Sequence, residues 1–319
     1  MFNNFLSISA VSKEIVEAAY RLSATAGAPV FLGLNKSYGV TSINKSLLDF
    51  EYPDNQVSIY RQKCGPLHNS KEALKDTFKT IETDLRAGLS IIHLDFSRFQ
   101  VSREEYNQKL LDAVKYCLKI KPDVKIILGS EGVKDYNRTV NDLNNVLPHC
   151  NPYAFVIDTG AEVREDFQFG VFNTDRVRQL KMLLSESNTL LFEYNSDYLT
   201  AGQLDLRKDL VDCVNISTQL GITQTDCILN LADQFGVSTE AWVKVCYKSK
   251  LWKPMLYTLT PEDDYACATL VGHYNYDCRE YEHLLTKLNN CINVDKEIRK
   301  ALDTVLEAYA VSFLKGSFV

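Results

Sequence analysis

Apolar and β-branched residues recur along the chain in short runs, and each run is followed by a stretch with helical spacing. The runs cover residues 5–10, 28–34, 57–61, 90–97, 124–131, 152–160, 189–196 and 212–217. Their starts are 23 to 37 residues apart, about one strand plus one helix. The alternation predicts eight β-strands joined by helical crossovers.

Helix start signals lie between the runs, where small polar residues precede apolar residues at helical spacing. The residues placed to cap helices are Ser12, Ser70, Ser102, Asn173 or Thr174, and Thr200. Ser102 and Thr200 are each followed three residues later by Glu or Gln, which is the spacing of a capping box. Only the crossover around residues 40–52 lacks a clear helical pattern.

The composition of the strands favours a closed barrel. Strands that are apolar on both faces are typical of parallel sheets covered by helices, and eight of them can close into a (β/α)₈ TIM barrel. An open doubly wound sheet is the alternative, but no glycine-rich dinucleotide loop follows the first strand. We predict a barrel over residues 1–236 and, over 237–319, a helical and aromatic extension packed on it.

Charge and cysteine usage narrow the class of protein. A net charge of −6 and the lack of a dense Lys/Arg run argue against nucleic acid as a partner. Nine cysteines at scattered positions, with no CxxC, indicate reduced thiols. The first residues lack the basic region of a signal peptide, and no apolar run reaches the ~18 residues of a membrane span. We therefore expect a cytoplasmic protein without a membrane partner.

Candidate catalytic residues lie at strand ends, where (β/α)₈ barrels carry their active sites. Asp95, Glu131 and Glu193 each end an apolar strand, where an unpaired charge is costly. Lys63 follows the third run and could clamp an oxyanion, form a Schiff base or simply pair with an acid. Three acids and one lysine at a common mouth can bind a polyol and move protons. Salt-bridged scaffolding is the competing interpretation.

Further polar residues near the strand ends are expected to contact substrate. They are Lys36, His93, Asp158, Asn195, Ser217 and Thr218. His93 shares a strand face with Asp95 by the period-two rule, although a lone histidine there is more often a hydrogen-bonded core residue. Ser217 and Thr218 could cradle a phosphate, but no lysine or arginine lies beside them.

The five histidines form no ligand cluster in the sequence, so zinc is not expected. Carboxylates could hold a hard divalent cation through oxygen, but a metal is not favoured. The cofactor is left open, and we assign no metal ligands.

Several segments resemble a known family. Residues 86–97 (RAGLSIIHLDFS) are similar to its RAGFxKIHLDxS segment, and shorter matches follow in the same order. Those matches are Gly65-Pro66, Gly129-Ser130-Glu131, Glu193 with residues 196–200, and residues 271–274. The family is the so-called non-catalytic subunit of class II tagatose-bisphosphate aldolase, with its ketose and hexuronate epimerase relatives. The resemblance implies a (β/α)₈ barrel acting on carbohydrates.

The chain departs from this family at positions that carry its chemistry. The resemblance implies a metal-binding Asp-His pair where Gln62 and Lys63 stand, and a histidine where Asn195 stands. The family's Lys-x-Gly-Pro element and downstream arginine are replaced by residues 215–218 and Thr225. We expect Lys63 to stabilise the enolate or alkoxide that a metal would otherwise stabilise.

Three functions remain open from the sequence. The first is a carbohydrate aldolase or epimerase acting on a ketose, a sugar acid or their phosphates. The second is a non-catalytic subunit that stabilises or docks on an aldolase; the protein partner is then an aldolase subunit, and a homo-oligomer is the other possible assembly. The third is a sugar-binding or regulatory barrel. Retention of the strand-end acids favours the enzyme, because a scaffold has little need of buried charge.

Overall fold

Eight parallel strands close into a barrel in the computed structural model, which describes residues 4–35, 56–130, 135–258 and 260–314. The strands are β1 (Phe5–Ser9), β2 (Val30–Asn35), β3 (Val57–Cys64), β4 (Ile91–Leu94), β5 (Lys125–Gly129), β6 (Ala154–Ile157), β9 (Leu190–Glu193) and β10 (Cys213–Ile216), while β7 (Val163–Arg164) and β8 (Phe167–Gln168) form a separate hairpin. The spatial order in the barrel is β1-β10-β9-β6-β5-β4-β3-β2. Each predicted run overlaps one of these barrel strands, and β2 and β3 extend beyond their runs to Asn35 and Cys64. The (β/α)₈ prediction is confirmed.

Several strands are shorter than the apolar runs that predict them. The run 90–97 contains a strand of only four residues, Ile91–Leu94. Phe96 extends the apolar pattern because it is buried in the loop that follows, not because it pairs in the sheet. Buried residues in the loop therefore make the apolar run in the sequence longer than the strand itself.

Helices follow the strands on the outside of the barrel. They are α1 (Lys13–Ala26), α2 (Lys71–Arg86), α3 (Arg103–Ile120), α4 (Tyr136–Val146), α5 (Thr174–Glu186), α6 (Ala201–Asp205) and α7 (Thr218–Gln234). The predicted caps Ser12, Ser70, Ser102, Asn173 and Thr200 each accept a backbone N–H in the first turn. Such caps satisfy amide groups that the helix itself leaves unpaired.

Strand side chains divide into two buried layers. A small cluster fills the barrel interior and includes Phe31, Ile91, Ile127 and Phe192. A larger cluster lies between the sheet and the helices. Alternate residues of each strand belong to opposite layers, so membership of a cluster shows which way a strand residue faces.

Four more α-helices follow the last barrel crossover in the part of the extension that the structure describes. They are α8 (Glu240–Ser249), α9 (Asp264–Val271), α10 (Arg279–Asn289) and α11 (Val294–Phe313). Helix α11 packs against α1, α6 and α7, and Arg21 of α1 pairs with Asp303 of α11 at 2.7 Å. The domain boundary at 236/237 stays a prediction. Among the described residues, no helix has an apolar stretch that could span a bilayer.

A short antiparallel hairpin, β7 (Val163–Arg164) and β8 (Phe167–Gln168), follows β6 at the C-terminal end of the barrel, called the mouth below. Gln168 Nε2 donates to the carbonyl oxygens of Asn195 and Asp197 at 2.9 and 3.0 Å. Glu165 accepts from the amides of Tyr257 and Thr258, both at 2.6 Å. The hairpin thereby joins the loop after β9 to the C-terminal extension.

The turn after β3 requires glycine at position 65. A Cβ atom at Gly65 would lie 1.6 Å from the carbonyl oxygen of Asp95, which is a backbone atom that cannot move alone. We expect Gly65→Ala to lower the free energy of unfolding by at least about 3 kcal/mol, as measured by urea denaturation.

Gly202 of α6 provides the matched control, because a Cβ there meets no atom within 4 Å. Gly202→Ala should leave stability unchanged or raise it by about 0.5 kcal/mol, since alanine restricts the unfolded chain. Equal losses from the two alanines would contradict the close approach of the two loops.

Candidate active site

The mouth is shaped by a bulge in β3. Its ladder with β4 shifts register between Arg61 and Cys64. Gln62 bonds within the barrel interior, whereas Cys64, two residues on, belongs to the outer layer. Lys63 is thus the extra residue, and its φ of 51° lies in the left-handed region. Bulges re-aim side chains at barrel rims, and a non-glycine residue in this region costs about 1–3 kcal/mol.

The amide of Lys63, turned out of the ladder, donates to His93 Nδ1 at 3.2 Å. His93 Nε2 lies 3.0 Å from the carbonyl oxygen of Gly129. An amide can only donate and a carbonyl can only accept, so the neutral Nε2–H tautomer satisfies both bonds. The hydroxyl of Tyr194, 3.0 Å from Nδ1, is then the donor in that contact. His93 is fully buried beneath the mouth.

The hydrogen-bond chain continues across the barrel interior. Tyr60 OH lies 3.0 Å from Tyr194 OH, and Ser7 Oγ lies 2.9 Å from Tyr60 OH. Asn215 Nδ2 donates to Ser7 at 2.9 Å, and Gln62 Nε2 donates to Asn215 at 3.3 Å. All these bonds can run in one direction, from Gln62 to Gly129. Because a backbone carbonyl ends the chain and cannot pass a proton on, the network positions Lys63 and Tyr194 rather than relaying protons.

The side chain of Lys63 is half-buried, and its Nζ lies 5.4 Å from the centre of the Tyr194 ring. Asp197, in the loop after β9, interacts electrostatically with it. An aromatic face and a carboxylate both attract a positive charge. The mouth therefore contains an ammonium group that interacts with an aromatic ring and with a carboxylate.

Asp197 is only 1% exposed. Its Oδ1 accepts the amides of Ser217 and Gln219, both at 2.8 Å, at the N-terminus of α7. Burial raises the pKa of Asp197 to about 6, an effect that outweighs these two amides, the Thr218 hydroxyl and Lys63, which lower it. The sequence interpretation did not select Asp197, although it follows a predicted strand directly.

Helix α11 supports the same loop from behind. The Leu199 amide donates to Tyr309 OH at 3.0 Å, and Tyr309 OH donates to the Ser196 carbonyl at 2.7 Å. The Tyr198 amide donates to Gln219 Oε1 at 2.7 Å. The extension therefore fixes the loop that carries Asp197.

Glu193, predicted as a catalytic acid, faces away from the barrel interior. Its neighbours Phe192 and Tyr194 belong to the interior cluster, so Glu193 points into the helical layer. There it accepts from Arg207 Nε at 2.7 Å, with the two side chains 0% and 2% exposed. The Arg207 guanidinium also lies 4.1 Å from the Phe172 ring centre. The alternative interpretation, salt-bridged scaffolding, describes this residue, and we give it no catalytic role.

The other predicted residues that the structure describes lie near the mouth in different settings. Asp95 is half-buried, and its Oδ1 accepts the Ser97 amide at 2.9 Å. Asp158 accepts the Gly160 amide at 2.8 Å in a similar turn. Asn195 has a φ of 59°. Ser217 and Thr218 are half-buried at the start of α7. Lys36 and Glu131 lie outside the described residues.

The residues at the family's metal positions do not suit a divalent cation. The side-chain amide of Gln62 is already hydrogen-bonded in the interior network, where Ser9 Oγ donates to its oxygen at 3.0 Å. The ammonium of Lys63 would repel a cation. Within the described ranges, no three His, Cys, Asp or Glu side chains are grouped as metal ligands.

Comparisons with known proteins identify the fold. No family model matches the sequence, and no curated protein matches it. A probable tagatose 6 phosphate kinase from Sinorhizobium meliloti 1021 superposes with a TM-score of 0.78 at 14% identity, covering 97% of this chain and 100% of its own. The YdjI aldolase of Escherichia coli K12 gives 0.55 at 12% identity, covering 95% and 89%. A fructose-bisphosphate aldolase of Campylobacter jejuni gives 0.58 at 10%, covering 96% and 89%.

The chain is a (β/α)₈ barrel. Its closed ring of eight parallel strands agrees with these neighbours. At such low identity the likeness concerns the fold alone.

The buried pair behind β9 predicts a strong effect on stability. Arg207→Met leaves the Glu193 carboxylate buried and unpaired, so we expect a loss of about 3–5 kcal/mol in the free energy of unfolding. Replacing both residues by methionine should cost much less than the sum of the two single changes. Urea denaturation of the four proteins measures the coupling, and additive losses would contradict a direct pair.

The raised pKa of Asp197 predicts a pH dependence of stability. The folded protein binds this proton more tightly than the unfolded chain, so stability due to Asp197 is present below about pH 4 and is lost as the pH rises to about 6. The loss amounts to about 3 kcal/mol at most. The difference in unfolding free energy between wild type and Asp197→Asn should therefore fall across that window in urea titrations. A difference that rises with pH would show that the amides dominate.

Proposed function

We propose that this chain is a carbohydrate-processing enzyme, an aldolase or epimerase acting on a ketose, a sugar acid or one of their phosphates. The observation that carries the proposal is the bulged Lys63, whose amide is fixed by His93 and whose ammonium lies over Tyr194. Strained backbone at the mouth of a barrel points to function, because the strain lowers the stability of the folded protein and has no structural benefit of its own. Aldolases among the structural neighbours have the same barrel, which supports carbohydrate chemistry here.

The ammonium of Lys63 can stabilise an enolate. In an epimerisation, a base removes the proton next to the substrate carbonyl, the C–H electrons form a C=C bond, and the carbonyl π electrons move to oxygen; return of a proton to the opposite face of the carbon completes the reaction. In a retro-aldol step, the base takes a hydroxyl proton and the O–H electrons form a new C=O bond. The electrons of the broken C–C bond then form the C=C bond of the enolate, and the carbonyl π electrons of the other fragment move to oxygen. In both cases negative charge develops on an oxygen, and a fixed cation lowers that barrier without reorganising.

Among the described residues, Asp95 is the candidate for the base. It is half-buried, so substrate can reach it, and it follows β4, which pairs with the strand that carries Lys63. Glu131 is the second candidate from the sequence. Tyr194 and His93 act as positioning residues, since both are buried and bonded to each other.

An electrostatic role suits Lys63 better than a Schiff base. A Schiff base requires the amine to attack the substrate carbonyl, whereas the Nζ of Lys63 lies over the Tyr194 ring and interacts with the Asp197 carboxylate, contacts that suit a fixed positive charge. Borohydride added during turnover separates the two mechanisms. A covalent adduct on Lys63 would favour the Schiff base.

Replacing Lys63 with methionine tests the proposal. We expect Lys63→Met to lower kcat by about 100- to 1000-fold, the usual cost of removing one oxyanion stabiliser, while circular dichroism and the melting temperature stay close to wild type. The assay uses the purified chain with ketoses, ketose phosphates and uronates. Unchanged turnover would reject the role of Lys63.

Lys125→Met is the matched control. Lys125 begins β5 at the opposite end of the barrel and also lies over a tyrosine, with Nζ 4.6 Å from the Tyr153 ring centre. Its loss should leave kcat unchanged. If the chain alone turns over no sugar but raises the activity of an added class II aldolase, the non-catalytic subunit is the correct function instead.

A further inference from the structure

The loops after the seventh and eighth barrel strands decide what can bind beside Lys63. In many (β/α)₈ barrels these loops, together with the N-terminus of a helix, hold a phosphate group. Backbone amides at a helix N-terminus are suited to an anion. Here the loops are residues 194–200 after β9 and the start of α7 after β10.

An anion from the protein itself already occupies this place. The Asp197 carboxylate reaches across from the first loop and accepts the amides of Ser217 and Gln219 in the second, at 2.8 Å each. The Thr218 side chain bonds the same carboxylate. The amides and the hydroxyl that could bond a phosphate are thus already bonded to a carboxylate, and Asp197 is nearly inaccessible to solvent.

Local charge disfavours a second anion at the same place. Helix α7 contains no lysine or arginine, so no side chain of that helix offsets a phosphate dianion. A carboxylate fixed at the helix terminus would repel it, since two like charges close together in a partly buried site are strongly unfavourable. Lys63, the nearby cation, already interacts with Asp197.

We propose that Asp197 is a built-in substitute for a substrate phosphate, and that the end of the sugar facing these two loops carries a hydroxyl rather than a phosphoryl group. The substrate class is then a ketose or sugar acid that is unphosphorylated at this end. The identification of the ligand as a sugar rests on the proposed function. The occupation of the anion position by Asp197 rests only on the hydrogen bonds of its carboxylate.

A titration with inorganic phosphate tests the proposal without any turnover. Backbone amide shifts of Ser217, Thr218 and Gln219 are followed by NMR in the wild type, in Asp197→Ala and in Asp158→Ala. We expect these amides to be unmoved in the wild type. In Asp197→Ala they should shift saturably, with phosphate affinity at least about tenfold above wild type.

Asp158→Ala is the matched control, because Asp158 is also a buried strand-end carboxylate but bonds only its own loop through Gly160 in the contacts described. It should gain no phosphate binding at α7. Saturable shifts of the α7 amides in the wild type would overturn the proposal, and so would a folded Asp197→Ala protein that binds no phosphate. If that variant does not fold, the wild-type titration decides alone.

Kinetics separate this proposal from the proposed function. If the chain turns over a free sugar with a higher kcat/KM than the same sugar phosphorylated at this end, the proposed function and the role of Asp197 are both supported. If it prefers the phosphorylated sugar, the role of Asp197 is overturned and the proposed function is not. No turnover of any sugar, together with the expected phosphate titration, would reject the enzyme and leave the occupied anion position intact.

Discussion

A bulge in β3 turns the amide of Lys63 out of the sheet and onto His93 Nδ1. The bond fixes the histidine tautomer, which in turn makes Tyr194 a donor and aligns the tyrosines and amides beneath it. Interior polar groups of a barrel are removed from bulk solvent, so each one left without a hydrogen-bond partner costs about 1–3 kcal/mol. The network meets that demand and, in doing so, leaves Lys63 at the mouth with a defined direction.

The elements could be predicted from the sequence because their signals are local. The caps at Ser12, Ser70 and Thr200 need only residues within one turn. The direction in which a strand side chain points cannot be predicted in this way, because both faces of a barrel strand are buried and apolar. Glu193 therefore resembled a mouth residue, and its partner Arg207, fourteen positions away, could not be inferred from strand patterning.

The site was predictable only in part for the same reason. Lys63 and His93 lie together, as expected for neighbouring strand ends, but the bulge that joins them depends on the register of β3 with β4. Asp197 was missed because its importance comes from two amides some twenty residues later. One signal was available: α7 contains no lysine or arginine that would help to hold a phosphate, and its first amides need acceptors, so an acceptor from the protein itself was to be expected there.

The C-terminal extension belongs to this arrangement as well. Tyr309 of α11 bonds the backbone on both sides of the Asp197 loop, at Ser196 and at Leu199. A buried carboxylate with a raised pKa keeps its position only if the backbone around it is held, because relaxation would let water reach it. The pairing of Asp197 with α7, the direction of Lys63 and the packing of the last helix are thus successive parts of one structure, in which a residue near the end of the chain helps to set the charge at the mouth.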